Sequence, residues 1–269
     1  MSHEHIRSVE QDASMDAANA VARGTFKFLW RELSWEYRRI MCALELSAVK
    51  MPFENPAPGP GESEIEQMWV GDITFDGHVV RGTLLNDARS IASLRAGAPA
   101  EQPLSEISDW LYAMRGRAYG AFTVQVIRAS MSRSERGGHD RAWGFDFGDP
   151  AEIALAPAPE AARSGWKLFA KKTPLRTAAE LEREDHPMCL NMVPKMLEAL
   201  SSDPSIVSQV DADGWTLLQR EALAGNAAMV RGLLDHGAPR DARTPLGDTA
   251  LDLAQRMGWP LVVEALEAQ

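Results

Sequence analysis

The chain repeats itself once near its C-terminal end, with a period of 33 residues. Gly214, Thr216, Leu218, Gly225, Val230 and Leu233 recur as Gly247, Thr249, Leu251, Gly258, Val263 and Leu266. A period of this length marks a stack of supersecondary units, none of which can bury its apolar face alone. Two copies cover too little surface, because about three units are usually needed. Leu197 and Leu200 lie one period before Val230 and Leu233. Residues 165–210 are therefore expected to close the N-terminal side of the stack as a degenerate unit.

The period, the Gly-x-Thr opening and the Val-x-x-Leu ending together resemble the ankyrin repeat. Residues 211–225 are similar to the ankyrin hairpin and inner helix. Residues 226–237 resemble the outer helix, with the Leu-Leu-x-x-Gly-Ala pattern at Leu233 to Ala238. The second copy spans 241–269 and ends in a polar turn. Leu217 and Ala250 replace the usual proline. Glu221 stands where a small buried residue is common, so it either reaches the edge of the stack or finds a basic partner. The resemblance implies a rigid scaffold that binds other proteins through variable hairpin tips.

Upstream, the periodicity changes. Ser14 can cap a helix over 14–40, in which Phe26, Leu29, Trp30 and Leu33 form one apolar stripe. Leu44, Leu46 and Ala48 alternate with other residues as in a strand. The Pro/Gly-rich run 55–61 is a loop. Strands are expected at 67–75 and 78–85 around an Asp76-Gly77 turn, and at 110–119 around Arg115-Gly116. Residues 122–131 are helical, and Ser132 with Glu135 forms a capping box for a helix ending before Gly144. Asp149-Pro150 and the Ala/Pro run 156–160 read as a boundary. Helices over 177–185 and 193–200 follow it. The expected fold is α+β: a small antiparallel-sheet domain with flanking helices over 1–160, then an all-α ankyrin stack with its cap over 161–269.

The upstream half is similar to a YegJ-like bacterial domain of unknown function over about 25–155. The residues that carry the likeness are Met68-Trp-Val-Gly-Asp-Ile-Thr-Phe-Asp-Gly77, Gly82-Thr-Leu-Leu-Asn86, Ser105-Glu-Ile-Ser-Asp-Trp110 and Tyr119-Gly-Ala-Phe-Thr123. That resemblance implies a small antiparallel sheet and supplies no chemistry.

Charge narrows the function classes. The formal net charge is −10, with ten acids against five bases in 201–269 and seven against three in 51–100. Direct nucleic-acid binding is disfavoured, since it needs clustered Lys and Arg. A basic protein partner is allowed. No apolar run reaches membrane-spanning length and the first residues lack a signal-peptide core, so a cytoplasmic location without a membrane is expected. Cys42 and Cys189 are the only cysteines, too few for a disulfide framework.

No nucleophile elbow, zincin motif, P-loop or dinucleotide fingerprint is present. Asp72, Asp76, Asp87, Asp109 and His78 fall together in the strand-rich stretch and could do acid–base work, but most read as turn residues. His186 and Cys189 have a zinc-like spacing without the two further ligands a closed site needs. Asp211 and Asp213 begin like a calcium loop that is not completed. No cofactor or metal is expected.

Trp215 sits between Gly214 and Thr216, at the variable hairpin position, with Asp248 equivalent one repeat later. It is expected to be an exposed interface anchor there, or to pack against the first domain. Trp215, Arg220, Arg243 and Asp248 are the candidate partner-binding residues, joined by an acidic stripe at Glu62, Glu64 and Glu66. The expected function is non-enzymatic protein binding. Its most concrete form is a bacterial immunity protein that neutralises a basic toxin such as a nuclease. An intracellular scaffold is the alternative, and a hydrolytic enzyme in the strand-rich domain is the third reading.

Overall fold

The computed structural model describes residues 3–60, 63–158 and 174–268. Contacts gather the chain into two compact units. One comprises residues 1–29 and 39–176; the other comprises 30–38 and 177–269. The expected boundary at 160/161 lies outside the described residues.

The first unit is α+β. Helix α1 (His3–Glu36) runs longer than the apolar stripe suggests, and its residues up to Leu29 belong here. Six strands follow: β1 (Leu46–Glu54), β2 (Ile65–Phe75), β3 (Val79–Leu84), β4 (Pro99–Pro103), β5 (Asp109–Met114) and β6 (Arg117–Gly120). They form one antiparallel sheet in the order β4-β3-β2-β1-β5-β6. The long central strand β1 outruns its expected end: Val49, Met51 and Phe53 alternate on the face opposite Leu46 and Ala48, and residues 51–54 pair with β2. Strand β4 was not expected. Its sequence, Pro-Ala-Glu-Gln-Pro, has no apolar alternation, and it lies on an edge, where prolines and a charge discourage further pairing.

Two helical layers cover this sheet. Ala18, Ala22, Phe26 and Leu29 of α1 are buried at helical spacing. Phe26 meets Phe75 edge-on at 5.2 Å, and the Trp110 indole N–H donates to the Ala22 carbonyl at 3.0 Å. The face bearing Ala48 and Leu111 packs against Val124 of α2 (Phe122–Ala129), Trp143 of α3 (Arg133–Trp143) and Phe147 just beyond α3. Helix α3 opens with the expected Ser132–Glu135 capping box and stops at Gly144, whose φ is 79°.

The second unit is helical: α4 (Ala178–Glu182), α5 (Pro187–Ser202), α6 (Leu217–Ala224), α7 (Ala227–Asp235), α8 (Ala250–Met257) and α9 (Pro260–Glu267). Helix α5 begins six residues before the expected 193. Pro187 takes the first helical position, where a missing N–H costs nothing, and the His186 ring accepts the Met188 N–H as a cap. The pairs α6–α7 and α8–α9 repeat the same construction 33 residues apart. Thr216 and Gln219 form the capping box of α6, as Thr249 and Asp252 form that of α8. Gly225 and Gly258 end the two helices at φ 77° and 66°. A Cβ at Gly225 would stand 2.4 Å from the Trp259 ring, so this position is fixed by sterics as well as by φ.

Candidate functional site

The two hairpins are built alike. The Asp211 N–H donates to the Trp215 carbonyl at 2.9 Å, and the Thr244 N–H donates to the Asp248 carbonyl at 2.9 Å. Gly214 and Gly247 turn both tips at positive φ. A side chain on Gly214 would meet Pro245 at 3.1 Å, so the tips stand side by side. Asp211, Asp213, Arg243, Pro245 and Leu246 are exposed along this row, and Leu246 is 58% exposed.

Trp215 corrects the expectation of an exposed anchor: it is 5% exposed. The Arg220 guanidinium covers its ring at 4.5 Å, and Arg220 in turn pairs with Asp211 at 2.8 Å and Asp213 at 2.7 Å. An indole is too apolar to stay at a tip when a guanidinium and the hairpin backbone can shield it. Asp248 is also buried, paired with Arg256 at 2.6 Å. Exposed Arg243 donates to the Gly247 carbonyl at 2.6 Å. Trp215, Arg220 and Asp248 thus shape the row, while Leu246, Asp213 and Arg243 present it.

The acidic stripe is not uniform. Glu62 lies outside the described residues. Glu64 is exposed. Glu66 accepts the backbone N–H groups of Arg89 at 2.7 Å and Ser90 at 2.9 Å, and the Arg89 bond first holds its carboxyl below the usual range.

The stack is closed by a segment that no repeat signal marks. Trp35, at the end of α1, is buried with Cys189 and Met229 and packed by Met188, Val193 and Met196. Its indole N–H donates to Asn226 Oδ1 at 3.1 Å, and its ring stacks on His186 at 5.9 Å. Asn226 Nδ2 donates to Glu221 at 2.6 Å, and Arg38 pairs with Glu221 at 2.8 Å. The basic partner required by the anomalous Glu221 is therefore Arg38. One unit along the stack, Trp259 repeats the device: its N–H donates to the Leu223 carbonyl at 3.1 Å. Glu221, a charge where a small residue is common, is the trace of this closure in the sequence.

The remaining chemistry-bearing residues hold local structure. His186 Nε2 lies 3.0 Å from Glu32, and burial first pushes the Cys189 thiol up to about 12. Among the described residues no group of three or more His, Cys, Asp or Glu could hold a metal ion. Thr83 donates to Asp72 at 2.7 Å. Asp76 accepts the His78 and Val79 N–H groups, and Asp87 that of Ala96. Asp109 is fully buried. Ala121 starts α2 in a left-handed conformation with no side-chain cap, so Asp109 accepts the Phe122 and Thr123 N–H groups at 2.9 and 2.8 Å. It also accepts the Trp110 N–H and the Thr123 hydroxyl. Among the described residues no hydrogen bond or ion pair joins any two of these four aspartates.

No helix among the described residues is long and apolar enough to cross a membrane. Comparison with known proteins bears on both units. A protein of Neisseria meningitidis serogroup B named "Putative ankyrin repeat protein" is 39% identical over 263 residues, covering 97% of this chain and 96% of the relative. "Uncharacterized protein YegJ" of Escherichia coli K12 is 24% identical over 83 residues, 31% of this chain and 54% of that protein. No solved structure matches. Residues 12–147 match the family described as uncharacterized protein conserved in bacteria, DUF2314, and the chain belongs to that family.

Proposed function

We propose that this chain is a non-enzymatic protein-binding protein whose helical unit is a short ankyrin stack. Its hairpin row is the contact surface. The observation that carries this reading is the pair of hairpins 33 residues apart, side by side, with exposed tips at Asp213 and Leu246. An apolar side chain 58% exposed at a rigid glycine turn, flanked by exposed Arg243 and Asp213, gives a partner both an anchor and charges to orient by. The name of the meningococcal relative supports the same reading.

The specific form we favour is a cytoplasmic bacterial immunity protein that neutralises a cognate toxin. Its support is the net charge of −10, which suits a basic partner such as a nuclease. The test is capture by the tagged full chain, with Leu246→Asp and Asp213→Lys variants checked for unchanged thermal unfolding. One tight basic partner, lost in both variants and toxic to cells lacking this chain, supports the proposal. Retention of every partner by both variants contradicts the hairpin row. Several non-toxic housekeeping partners would instead make the chain a scaffold.

A further inference from the structure

We propose that Lys50 is a nucleophilic amine that captures a small, flat carbonyl compound, with Thr123 and Asp109 as positioning residues. This goes beyond protein binding and concerns only the first unit.

Lys50 lies on central strand β1, in register with Trp69 on one side and Asp109 on the other. Its Nζ is 3.2 Å from Thr123 Oγ1. The single Thr123 hydroxyl proton is committed to Asp109 Oδ2 at 2.6 Å, so Thr123 accepts from Lys50. Asp109 accepts four hydrogen bonds, two on each oxygen, which leaves no direct ion pair for Lys50. The result is a chain of contacts, amine to hydroxyl to carboxylate, in which the hydroxyl can pass a proton inward.

Burial pushes the Lys50 ammonium down and the Asp109 carboxyl up, so both shifts favour the uncharged forms. Four donors on Asp109 and the Coulomb attraction between the two groups oppose them. Desolvation disfavours the ammonium, and a lysine less firmly held as ammonium is the more nucleophilic amine.

Lys50 is half-buried, with one hydrogen-bond acceptor among the described residues. Its Nζ lies 5.7 Å from the centre of the Trp69 ring, and Trp143 meets that ring edge-on at 6.4 Å. Both indoles are half-buried, and the Trp69 ring presents its flat face beside the amine. In the reaction the Nζ lone pair forms a C–N bond to the carbonyl carbon, the carbonyl π bond opens, and its oxygen takes a proton. Loss of that oxygen as water gives the imine, so amine and carbonyl become imine and water with no net oxidation or reduction.

The test uses the full chain, benzaldehyde as the probe, and cyanoborohydride to trap any imine. Peptide mass mapping follows adducts at Lys50 and at exposed Lys195. Labelling of Lys50 is expected to be about tenfold faster than that of Lys195 at neutral pH. Thr123→Val is expected to bring the Lys50 rate close to that of Lys195, and Thr123→Ser to restore it. A thermal midpoint measured for each variant shows whether it is folded. Labelling of wild-type Lys50 no faster than Lys195 overturns the proposal. A fast Lys50 rate untouched in a folded Thr123→Val overturns the positioning role.

Discussion

The repeated helices α6 and α8 and the sheet-bound helix α2 are capped differently. In the helical unit the caps of α6 and α8 are local: Thr216 with Gln219, and Thr249 with Asp252, three residues apart. In the sheet unit the start of α2 is capped from β5, thirteen residues before Phe122, by a carboxylate buried beneath it. A local cap can be copied with its helix, so it propagates with a repeat. A long-range cap ties one helix to one sheet and cannot be duplicated alone. The helical unit also uses long-range ties: Asp185 accepts the Ala228 N–H at the start of α7 at 3.1 Å, and Trp35 reaches the Asn226 side chain across 191 residues of chain.

Breaking the Trp35 closure should cost most. Trp35→Ala removes a buried indole and takes the donor from Asn226 Oδ1, and is expected to destabilise the helical unit by about 3–5 kcal/mol in urea unfolding. A loss under about 1 kcal/mol would show that the stack closes without it. Asp109→Ala strips the cap from α2 and leaves buried N–H groups of Trp110, Phe122 and Thr123 unpartnered. About 3 kcal/mol is expected there, read as earlier loss of near-ultraviolet circular dichroism.

Gly225→Ala tests the repeated interface. The substitution meets both a left-handed backbone and the Trp259 ring, and about 2 kcal/mol is expected. The same change at Gly247, where no atom lies within 4 Å of the added Cβ, is expected to cost less, because only the backbone term applies.

The smallest effect is expected at a local cap. The Thr249 N–H, followed by the Thr249 hydroxyl, holds the Asp252 carboxyl below its usual range. A lowered folded-state value means stability that is present above the ordinary carboxylate range and lost as pH falls through the folded value. Acid should therefore lower the thermal midpoint less steeply in Asp252→Asn than in wild type. An identical slope would remove Asp252 from the acid response.

Much of this architecture is legible in the residues themselves. The period finds α6 to α9, because each copy reuses a Thr cap and a Gly stop. Alternation finds β2, β3, β5 and β6, and the Ser132–Glu135 box finds α3. Strand β4 carries no such signal, because an edge strand rich in proline need not alternate. Trp215 reads as exposed because its position in the repeat is variable, yet an arginine five residues on, Arg220, covers it. Closure of the stack by Trp35 and Arg38 is hidden for another reason. Periodicity reports neighbours along the chain, whereas Asn226 and Glu221 find their partners far away. Glu221 alone hinted at it, as a charge in a place that calls for a small residue.

The most direct test of this account is amide hydrogen exchange of full-length wild type and Trp35→Ala. If residues 30–38 complete the helical stack, protection falls across α5, α6 and α7 while β1, β2 and β5 keep theirs. Unchanged protection across α5 to α7, or loss confined to the strands, would contradict it.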